Sequence, residues 1–489
     1  MNMILNLLLM PIVTAAICAI AGRRQAMEKI NAVGSLFTFL AGMVAVYSVF
    51  KNGPISEYNL LYADAISAFM VLLITLIGLA VSIYSIGYMG READSAVISL
   101  KQLRIYYTLL HAFIFTMLLV VVSDNLGVMW IAIEATTLAS AFLVGLYNDK
   151  QAVEAAWKYI ITCTVGITLA LLGTILIYTS SVAEFGETSN ALNWSFLIES
   201  AAKLDPTLVK LAFIFIIVGY GTKAGLVPMH SWLPDAHSQA PTPVSALLSA
   251  VLLNSAMYGI IRYHLIATKA LGTAFSGNLL MAFGILSIVA ASFLILMQKE
   301  YKRLLAYSSV EHMGIIALGI GFGGWLGILG AFLHMFNHAI AKSLMFFSAG
   351  YLKLGYHTRE MAEVKGAMQA MPYVGAMLLL GTFAITGSPP FAMFLSEFSI
   401  LAAGFQSDHF IAGALFLLSI VAVFCGFLYH IGGMVFGEAP QHVKKLQLET
   451  DTTLVLAALL LLSALLGFYV PGPMMQMIQQ IAAIMGVGA

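Results

Sequence analysis

The stretches GYGTKAGLVPMHSW (219–232) and GTFAITGSPPFAMFLSEF (381–398) decide how this chain folds. Each is apolar, each contains a glycine/proline break, and each carries one charged residue, Lys223 in the first and Glu397 in the second. A charge at the centre of a bilayer helix costs about 2.5–3.5 kcal/mol even on lenient scales, so such residues usually mark an ion or proton path. Interrupted helices at membrane depth are tolerated only where the freed backbone groups face protein or water. The two stretches therefore predict a transport protein with two broken membrane helices.

The rest of the chain has the composition of a membrane protein. Of its 489 residues, 61% are hydrophobic and only 9% are charged, and the mean hydropathy is +0.93. Crossing a hydrocarbon core about 30 Å thick takes roughly 20 apolar residues. We therefore predict an all-α membrane protein with about 14 transmembrane helices. The predicted spans are residues 3–21, 29–50, 66–89, 106–122, 126–146, 157–179, 207–233, 243–266, 275–297, 303–321, 324–351, 372–402, 409–435 and 453–470.

Lysine and arginine are distributed unevenly between the two sides of the predicted membrane. If the N-terminus is outside, the inner loops carry 16 of the 23 Lys and Arg residues, including Lys302, Lys444 and Lys445, and the outer loops carry five, including Arg262. Both termini then lie outside, in a multi-pass protein of the cell membrane (the inner or plasma membrane). The net charge is zero and there is no basic tail, so we expect the lipid bilayer and no nucleic acid as a partner.

The broken helices are the seventh and twelfth predicted spans. They are five spans apart, an odd number, so two five-helix units that contain them would face opposite ways across the membrane. We predict inverted repeats formed by spans 4–8 and 9–13. The predicted domains are an N-terminal three-helix segment (1–105), a first five-helix repeat (106–266), a second, inverted repeat (267–435), and a C-terminal helix and tail (436–489).

Glu134 lies in the middle of the fifth span, in GVMWIAIEATTLASAFLVG. An intramembrane carboxylate is either hydrogen-bonded to a neighbouring helix or functional, and its cost favours function. If Glu134 faces Lys223, moving the two apart by a few ångströms would change the affinity of the lysine for its proton. That change is the elementary step of a proton pump.

The eleventh span carries His334, His338 and Lys342 at intervals of four residues. Side chains at this spacing share one face of a helix. Histidine titrates near neutrality and can relay protons, whereas a single histidine on an apolar face is more often a core residue. We expect a proton relay. We expect no metal, because the span contains no carboxylate or cysteine and lysine is a poor neighbour for a cation.

Three further groups are candidates for the same path. Glu311 and His312 are adjacent, so they point in different directions on a helix, and we expect one to face the polar axis and the other a neighbouring helix. Glu397 follows the Ser388–Pro390 break, and we interpret it as a terminal proton site.

His230, Asp235 and His237 cluster at the inner end of the seventh span. They form either a water-filled entrance for protons or an ordinary polar loop at the membrane interface.

The sequence contains no motif for a cofactor. Cys18, Cys163 and Cys425 lie far apart in apolar segments, without the C-x-x-C spacing of an iron–sulfur or zinc site. No dinucleotide fingerprint or phosphate-binding loop is found. We expect no cofactor and no redox centre in this chain.

Besides Glu134, four longer stretches are distinctive: TKAGLVPMHSWLPDAHSQAPTPVSALLS (222–249), YKRLLAYSSVEHMGI (301–315), HMFNHAIAKSLMFFSAG (334–350) and SPPFAMFLSEF (388–398). With them, nearly the whole chain resembles the proton-pumping antiporter-like subunits of respiratory complex I. The same family includes the large subunits of multisubunit sodium/proton antiporters and membrane-arm subunits of group 4 membrane-bound nickel–iron (NiFe) hydrogenases. Within it, EATTL (134–138) and SVEHM (309–313) look most like component F of hydrogenase-4 and formate hydrogenlyase complexes.

The resemblance implies roles for individual residues. Glu134 and Lys223 would be the paired carboxylate and lysine, Lys342 the central relay lysine, and Glu397 the acidic residue of the second broken helix. Many complex I relatives carry a lysine in the eighth span, where this chain has Asn254 in LLNSAMYGIIR. An asparagine can hydrogen-bond to a water chain but cannot carry the proton as a charge.

These observations lead to one functional hypothesis and several alternatives. Protons would load from the inner side near His237, occupy Lys223, pass through water and His338 to Lys342, and leave outward beyond Glu397. A peripheral redox module, most similar to a nickel–iron hydrogenase, would drive this flow together with other membrane subunits. The alternatives are a complex I subunit, a sodium/proton antiporter, alone or multisubunit, and an inert membrane scaffold.

Overall fold

The computed structural model describes residues 2–441, 443 and 448–488. Lys444 and Lys445, which we counted on the inner side, lie outside the described residues. The α-helices are α1 (Met3–Ile20), α2 (Arg24–Asn52), α3 (Ala65–Asp94), α4 (Leu100–Val122), α5 (Leu126–Val144), α6 (Lys150–Phe185), α7 (Trp194–Ser200), α8 (Pro206–Ala224), α9 (Trp232–Gln239), α10 (Thr242–Leu247), α11 (Leu253–Leu271), α12 (Thr273–Leu296), α13 (Tyr301–Phe322), α14 (Gly324–Tyr356), α15 (Ala367–Ala370), α16 (Pro372–Ile385), α17 (Ala392–Gln406), α18 (Phe410–Val435), α19 (Thr450–Phe468) and α20 (Gly472–Ile484).

The remaining elements are short. Two strands, β1 (Ile55–Glu57) and β2 (Leu61–Ala63), pair antiparallel before α3. Two 3₁₀ turns cover Ala201–Lys203 and Met361–Glu363, and a π-helical turn, Leu248–Leu252, joins α10 to α11.

Among the described residues, 12 helical segments are long and apolar enough to cross a membrane, with α10, the π-helical turn and α11 counted as one segment, Thr242–Leu271. The predicted eleventh span is α14, which has 33 residues but is not one of these 12 segments. The stripe of His334, His338 and Lys342 lowers its mean hydropathy. The predicted twelfth span is the pair α16 and α17, each shorter than 18 residues because the break divides them. The all-α membrane fold with two broken helices is thus confirmed, while the count of 14 and the domain boundaries stay predictions.

The core is formed by α11, α13 and α14. The membrane window of Thr242–Leu271 is 100% buried and that of α13 is 89% buried, whereas α1, α2, α6, α12, α18 and α19 bury only 33–39% of theirs. Apolar side chains can face lipid at no cost, but charged ones must be enclosed by protein. The charged and imidazole side chains of the three central helices, such as Arg262, Glu311 and Lys342, are enclosed in this way.

A glycine ends the first broken helix directly after its lysine. Gly225 has φ +80°, and the Leu226 amide donates to the Gly221 carbonyl at 2.8 Å, the pattern of a glycine C-terminal cap. The indole of Trp232 donates to the freed Thr222 carbonyl at 2.8 Å. The chain then resumes as α9, so Lys223 lies in the last turn of α8, at the break itself.

Close backbone packing holds α8 against α6. A Cβ atom at Gly219 would lie 2.5 Å from the amide nitrogen of Ala170 and 2.6 Å from the carbonyl oxygen of Gly166. Small residues allow such approach between membrane helices, where dispersion contacts replace the hydrophobic effect. This contact sets the distance from Lys223 to the polar groups of α6.

Two cations that we assigned to loops are buried in helices instead. Arg262, in α11, donates two hydrogen bonds to the carboxylate of Asp64 at 2.6 and 2.8 Å and lies 4.0 Å from the Trp194 ring. Lys302, in α13, donates to the Ala240 carbonyl at 2.7 Å. The loop assignment was wrong for both residues, because partners distant in sequence allow the charges to be buried. Asp64 caps α3, so the Asp64–Arg262 pair joins the N-terminal segment to the first repeat.

Removing one member of this pair will destabilise the protein more than removing both. Asp64→Leu should lower the free energy of unfolding by about 3–5 kcal/mol, because it leaves the Arg262 charge buried and unpaired. The double variant Asp64→Leu/Arg262→Met should recover most of that loss. The measurement is the thermal unfolding of the detergent-purified protein. Asp94→Asn, which removes the exposed partner of Arg24, is the control and should change stability by less than about 1 kcal/mol. A double variant as unstable as Asp64→Leu would contradict this account.

Candidate functional site

The predicted polar residues form two groups, one in each predicted repeat. The first cluster comprises Glu134, Thr137, Tyr159 and Lys223, from α5, α6 and α8. The second cluster lies where α13, α14 and α17 pack. Its members are Ser308, Glu311, His312, His334, His338, Lys342, Ser396 and Glu397.

Lys223 is wholly buried and held by neutral oxygens. Its Nζ donates to Thr137 Oγ1 at 2.7 Å and to Tyr159 Oη at 2.6 Å, and lies 4.6 Å from the centroid of the Tyr159 ring. That ring stacks on Trp232 with centroids 4.5 Å apart, so the residue that satisfies the helix break also positions the tyrosine. Lys223 therefore occupies a rigid polar socket.

Glu134 reaches Lys223 only through Thr137. The Thr137 hydroxyl accepts from Lys223 and donates to Glu134 Oε2 at 3.4 Å, while Thr164 donates to Glu134 Oε1 at 3.0 Å. Within the described part of the chain, Glu134 and Lys223 form no direct ion pair. Glu134 is only half-buried, beside the exposed side chains of Ile131 and Leu138. The carboxylate thus connects the lysine to the outer surface of the subunit.

Lys342 has a similar environment in the second cluster. It is wholly buried, and its Nζ donates to the Leu305 carbonyl at 2.6 Å and to the Ser308 hydroxyl. Glu311 lies within electrostatic reach of it, one helical turn along α13 from Ser308. Again a lysine is held by neutral oxygens, with a carboxylate nearby but not bonded to it.

The imidazoles of the second cluster contact one another. His312 Nδ1 lies 3.0 Å from His334 Nε2, and His334 Nδ1 lies 3.0 Å from Ser396 Oγ. The ring of His338 lies 5.1 Å from that of His312. We expected Glu311 and His312 to face different surroundings, one the axis and the other a neighbouring helix. His312 contacts His334 and His338 of α14, and Glu311 lies within electrostatic reach of Lys342 on the same helix.

Glu397 lies directly against the second break. A Cβ atom at Gly387, where φ is +66°, would come within 2.0 Å of the Glu397 carboxylate. The neighbouring Pro389 and Pro390 are exposed. One possible ligand atom from each of His312, His334 and Glu397 lies within 4.8 Å of the other two, a grouping that suits a metal ion.

The three residues of the predicted entrance lie in different surroundings. Asp235 accepts from Lys158 at 3.1 Å and pairs with Arg303, so it ties α6 to α13 at the surface. His230 is half-buried beside Tyr307. His237 is wholly buried, stacks on Phe346 and lies within electrostatic reach of Lys342.

Asn254 lies against α14. Its side-chain amide donates to the Ala250 carbonyl one turn earlier at 2.8 Å and to the Met335 carbonyl of α14 at 3.4 Å. Several buried polar atoms of the candidate residues have no hydrogen-bond partner among the described residues: Asn254 Oδ1, both ring nitrogens of His237 and His338, His312 Nε2 and Glu311 Oε2. Buried polar groups need partners, and water is the usual one where protein supplies none.

Sequence reasoning missed the neutral members of both clusters. Thr137 could have been found, because it follows Glu134 by three residues and so shares its helix face. Ser308 carries the same signal, because it precedes Glu311 by three residues, whereas Tyr159 and Ser396 carry none, since hydroxyl residues occur throughout the spans. Their selection depends on contacts between helices.

Comparisons with known proteins agree with this architecture. Residues 123–424 match the family described as NADH:quinone oxidoreductase/Mrp antiporter, TM, and residues 59–96 match the N-terminus of NADH-ubiquinone oxidoreductase (complex I) chain 5. A hydrogenase-4 component F homolog from Methylacidiphilum infernorum (isolate V4) is 36% identical over 458 residues, 93% of this chain and 94% of that relative. Hydrogenase-4 component B of Escherichia coli (strain K12) is 31% identical over 423 residues, 81% of this chain and 60% of that relative.

Solved structures share the fold. A chain of the membrane-bound sulfane sulfur reductase (MBS), an archaeal respiratory membrane complex, superposes with a TM-score of 0.87 over 99% of this chain and 98% of its own, at 24% identity. A chain of the Mrp complex from Dietzia sp. DQ12-45-1b gives 0.86 over 99% and 97%, at 19% identity. The family match covers more than half of the chain. This protein is therefore a multi-pass, antiporter-like membrane subunit that belongs to the NADH:quinone oxidoreductase/Mrp antiporter family.

Proposed function

We propose that this subunit conducts protons between the first and the second cluster and so couples a redox reaction to proton transport across the inner or plasma membrane. The observation that carries the proposal is that Lys223 and Lys342 are both wholly buried and both hydrogen-bonded to neutral oxygens. Lysines in such settings change protonation state readily, and here no ion pair has to break first. Idle charges at this depth would only destabilise the protein.

In the first cluster, Glu134 controls the proton on Lys223. Its negative charge acts on the lysine through the Thr137 hydroxyl, so a shift of the carboxylate changes how tightly the lysine holds its proton. Glu134 is half-buried on a face that would otherwise meet lipid. A neighbouring membrane subunit that covers this face would satisfy the carboxylate and could move it.

Between the clusters, the path runs past Asn254 to His338. The unpartnered atoms of Asn254 and His338 would bind water, and a short water chain would then complete the connection to Lys342. His237 fits this inner stretch of the path better than a surface entrance, since it is buried within reach of Lys342.

In the second cluster, the proton moves from Lys342 toward Glu397. Glu311, His338, His312 and His334 supply the intermediate groups, and the exposed break beside Glu397 supplies the exit. With both termini outside, this exit would open to the outer side of the membrane.

The driving module is proposed to be of the nickel–iron hydrogenase or formate hydrogenlyase type, because the two relatives described above are named as hydrogenase-4 components. Purification of the intact complex through a tag on this chain, followed by identification of the other chains, tests this proposal. A large subunit with nickel-binding cysteines would support it, and an NADH-oxidising module would contradict it.

Loss of the amino group at the first break should stop proton transport. In Lys223→Ala, proton translocation by the reconstituted complex should fall by about tenfold or more, since a barrier increase of about 1.4 kcal/mol already has that effect. The measurement is redox-driven acidification of proteoliposomes, with assembly checked by the subunits that co-purify. Lys210→Ala, an exposed lysine of the same helix, is the matched control and should behave as wild type. Normal translocation by Lys223→Ala would refute the proposal.

For proton translocation, the hydroxyl group of Thr137 should matter more than the shape of its side chain. Thr137→Val keeps the volume but removes both hydrogen bonds, so translocation should fall severalfold, whereas Thr137→Ser should retain it. Proton and electron fluxes measured in the same proteoliposomes give the ratio that distinguishes uncoupling from slower turnover. Equal effects of valine and serine would show that Thr137 does not transmit the influence of Glu134.

A further inference from the structure

Three side chains with metal-binding atoms meet inside the second cluster, although they come from three helices. His312 belongs to α13, His334 to α14 and Glu397 to α17, and their exposed fractions are 1%, 0% and 6%. One ligand atom of each lies within 4.8 Å of the others. Our expectation that the eleventh span binds no metal rested on its lack of a carboxylate or cysteine and on the nearby lysine. The fold supplies that carboxylate from α17.

The spacing of the two imidazoles suits a transition metal. His312 Nδ1 and His334 Nε2 face each other at 3.0 Å. In a tetrahedral zinc site with Zn–N bonds of about 2.0–2.1 Å, two nitrogens lie about 3.4 Å apart. To admit the ion, the two nitrogens would separate by a few tenths of an ångström, and the Glu397 oxygen, now within 4.8 Å of both imidazoles, would complete the site. Two histidines and one carboxylate, with water in the fourth position, are a common ligand set for zinc, and imidazole disfavours calcium and magnesium.

The hydrogen bonds define which nitrogens have free lone pairs. Ser396 Oγ donates to the Met393 carbonyl at 2.8 Å, so it accepts from the Nδ1–H of His334. His334 Nε2 then holds a lone pair and accepts from the Nδ1–H of His312. His312 Nε2 has no partner in the described structure and can take that proton when a metal replaces it. Ser396 thus orients a ligand in the way that outer-shell groups of metal sites do.

Access and a nearby lysine both bear on ion binding. Glu397 abuts Gly387, beside Pro389 and Pro390, which are exposed at the surface of this subunit. Lys342 lies eight residues from His334 on α14, which is about 12 Å along the helix axis. It also lies within electrostatic reach of His312, so the site admits a cation more readily when the lysine is neutral.

We infer that His312, His334 and Glu397 bind one zinc ion or a similar first-row transition metal. The bound ion would occupy the nitrogen lone pairs and the carboxylate and so block proton movement past this point, a consequence that rests on the proposed function.

The test is direct measurement of metal binding by the full chain. Chelator-treated protein in detergent is dialysed against zinc, and bound metal is counted; Co²⁺ replaces zinc where the visible spectrum of a tetrahedral site is recorded. We expect one ion per chain, lost in His334→Gln and in Glu397→Gln. Ser396→Ala, which keeps all three ligands, should bind about 10- to 100-fold more weakly. His264→Gln removes a buried imidazole elsewhere and should leave binding unchanged.

A pair of glycine variants separates the site from a general loss of folding. Gly387→Ala would displace the Glu397 carboxylate and should weaken zinc binding. Gly323→Ala is the control, because Gly323 has the same φ of +66° but an added Cβ atom would have no other atom within 4 Å. This variant should bind zinc normally. No bound zinc, or zinc that stays bound in His334→Gln and Gly387→Ala, would overturn the inference. Specific binding without any effect of zinc on proton translocation would leave the metal site standing and would count against the proposed proton route.

Discussion

The structure depends on the free-energy cost of an unpaired polar group in a hydrocarbon environment. Each break in a membrane helix frees backbone groups, and each buried lysine needs acceptors. At the first break, one residue serves both needs: the indole N–H of Trp232 donates to the Thr222 carbonyl, and its ring stacks on Tyr159, which accepts from Lys223. The apolar surfaces of helices such as α1, α2, α12, α18 and α19 are left exposed, where lipid is an adequate neighbour.

The two clusters meet the constraint with opposite placements of charge. In the first, the broken helix carries the cation, Lys223, and an intact helix carries the anion, Glu134. In the second, the broken helix carries the anion, Glu397, and the intact α14 carries the cation, Lys342. In both, the lysine is hydrogen-bonded to neutral oxygens, and the carboxylate within reach of it, Glu134 or Glu311, is not bonded to it directly. Opposite charges that interact without an ion pair can alter each other's protonation while each stays free to change.

Much of the fold could be predicted from the chain because the relevant patterns are local. Glycine and proline within apolar runs locate both breaks, and the spacing of His334, His338 and Lys342 places them on one buried face of α14. Arg262 and Lys302 were assigned to loops because a charged residue near a span end looks the same whether it is solvated or paired with a distant partner. The Asp64–Arg262 pair joins residues 198 positions apart, and no local pattern reports on such a distance.

By itself the sequence determined that this is a multi-helix membrane protein with two interrupted helices and a line of titratable residues, since those properties depend on hydropathy and residue type along the chain. Only the tertiary structure decided which groups meet. It placed Thr137 between Glu134 and Lys223, brought Glu397 to His312 and His334, and turned His237 inward. The packing of the helices against one another determines these contacts, because hydrogen bonds act over about 3 Å and depend on the orientation of both partners.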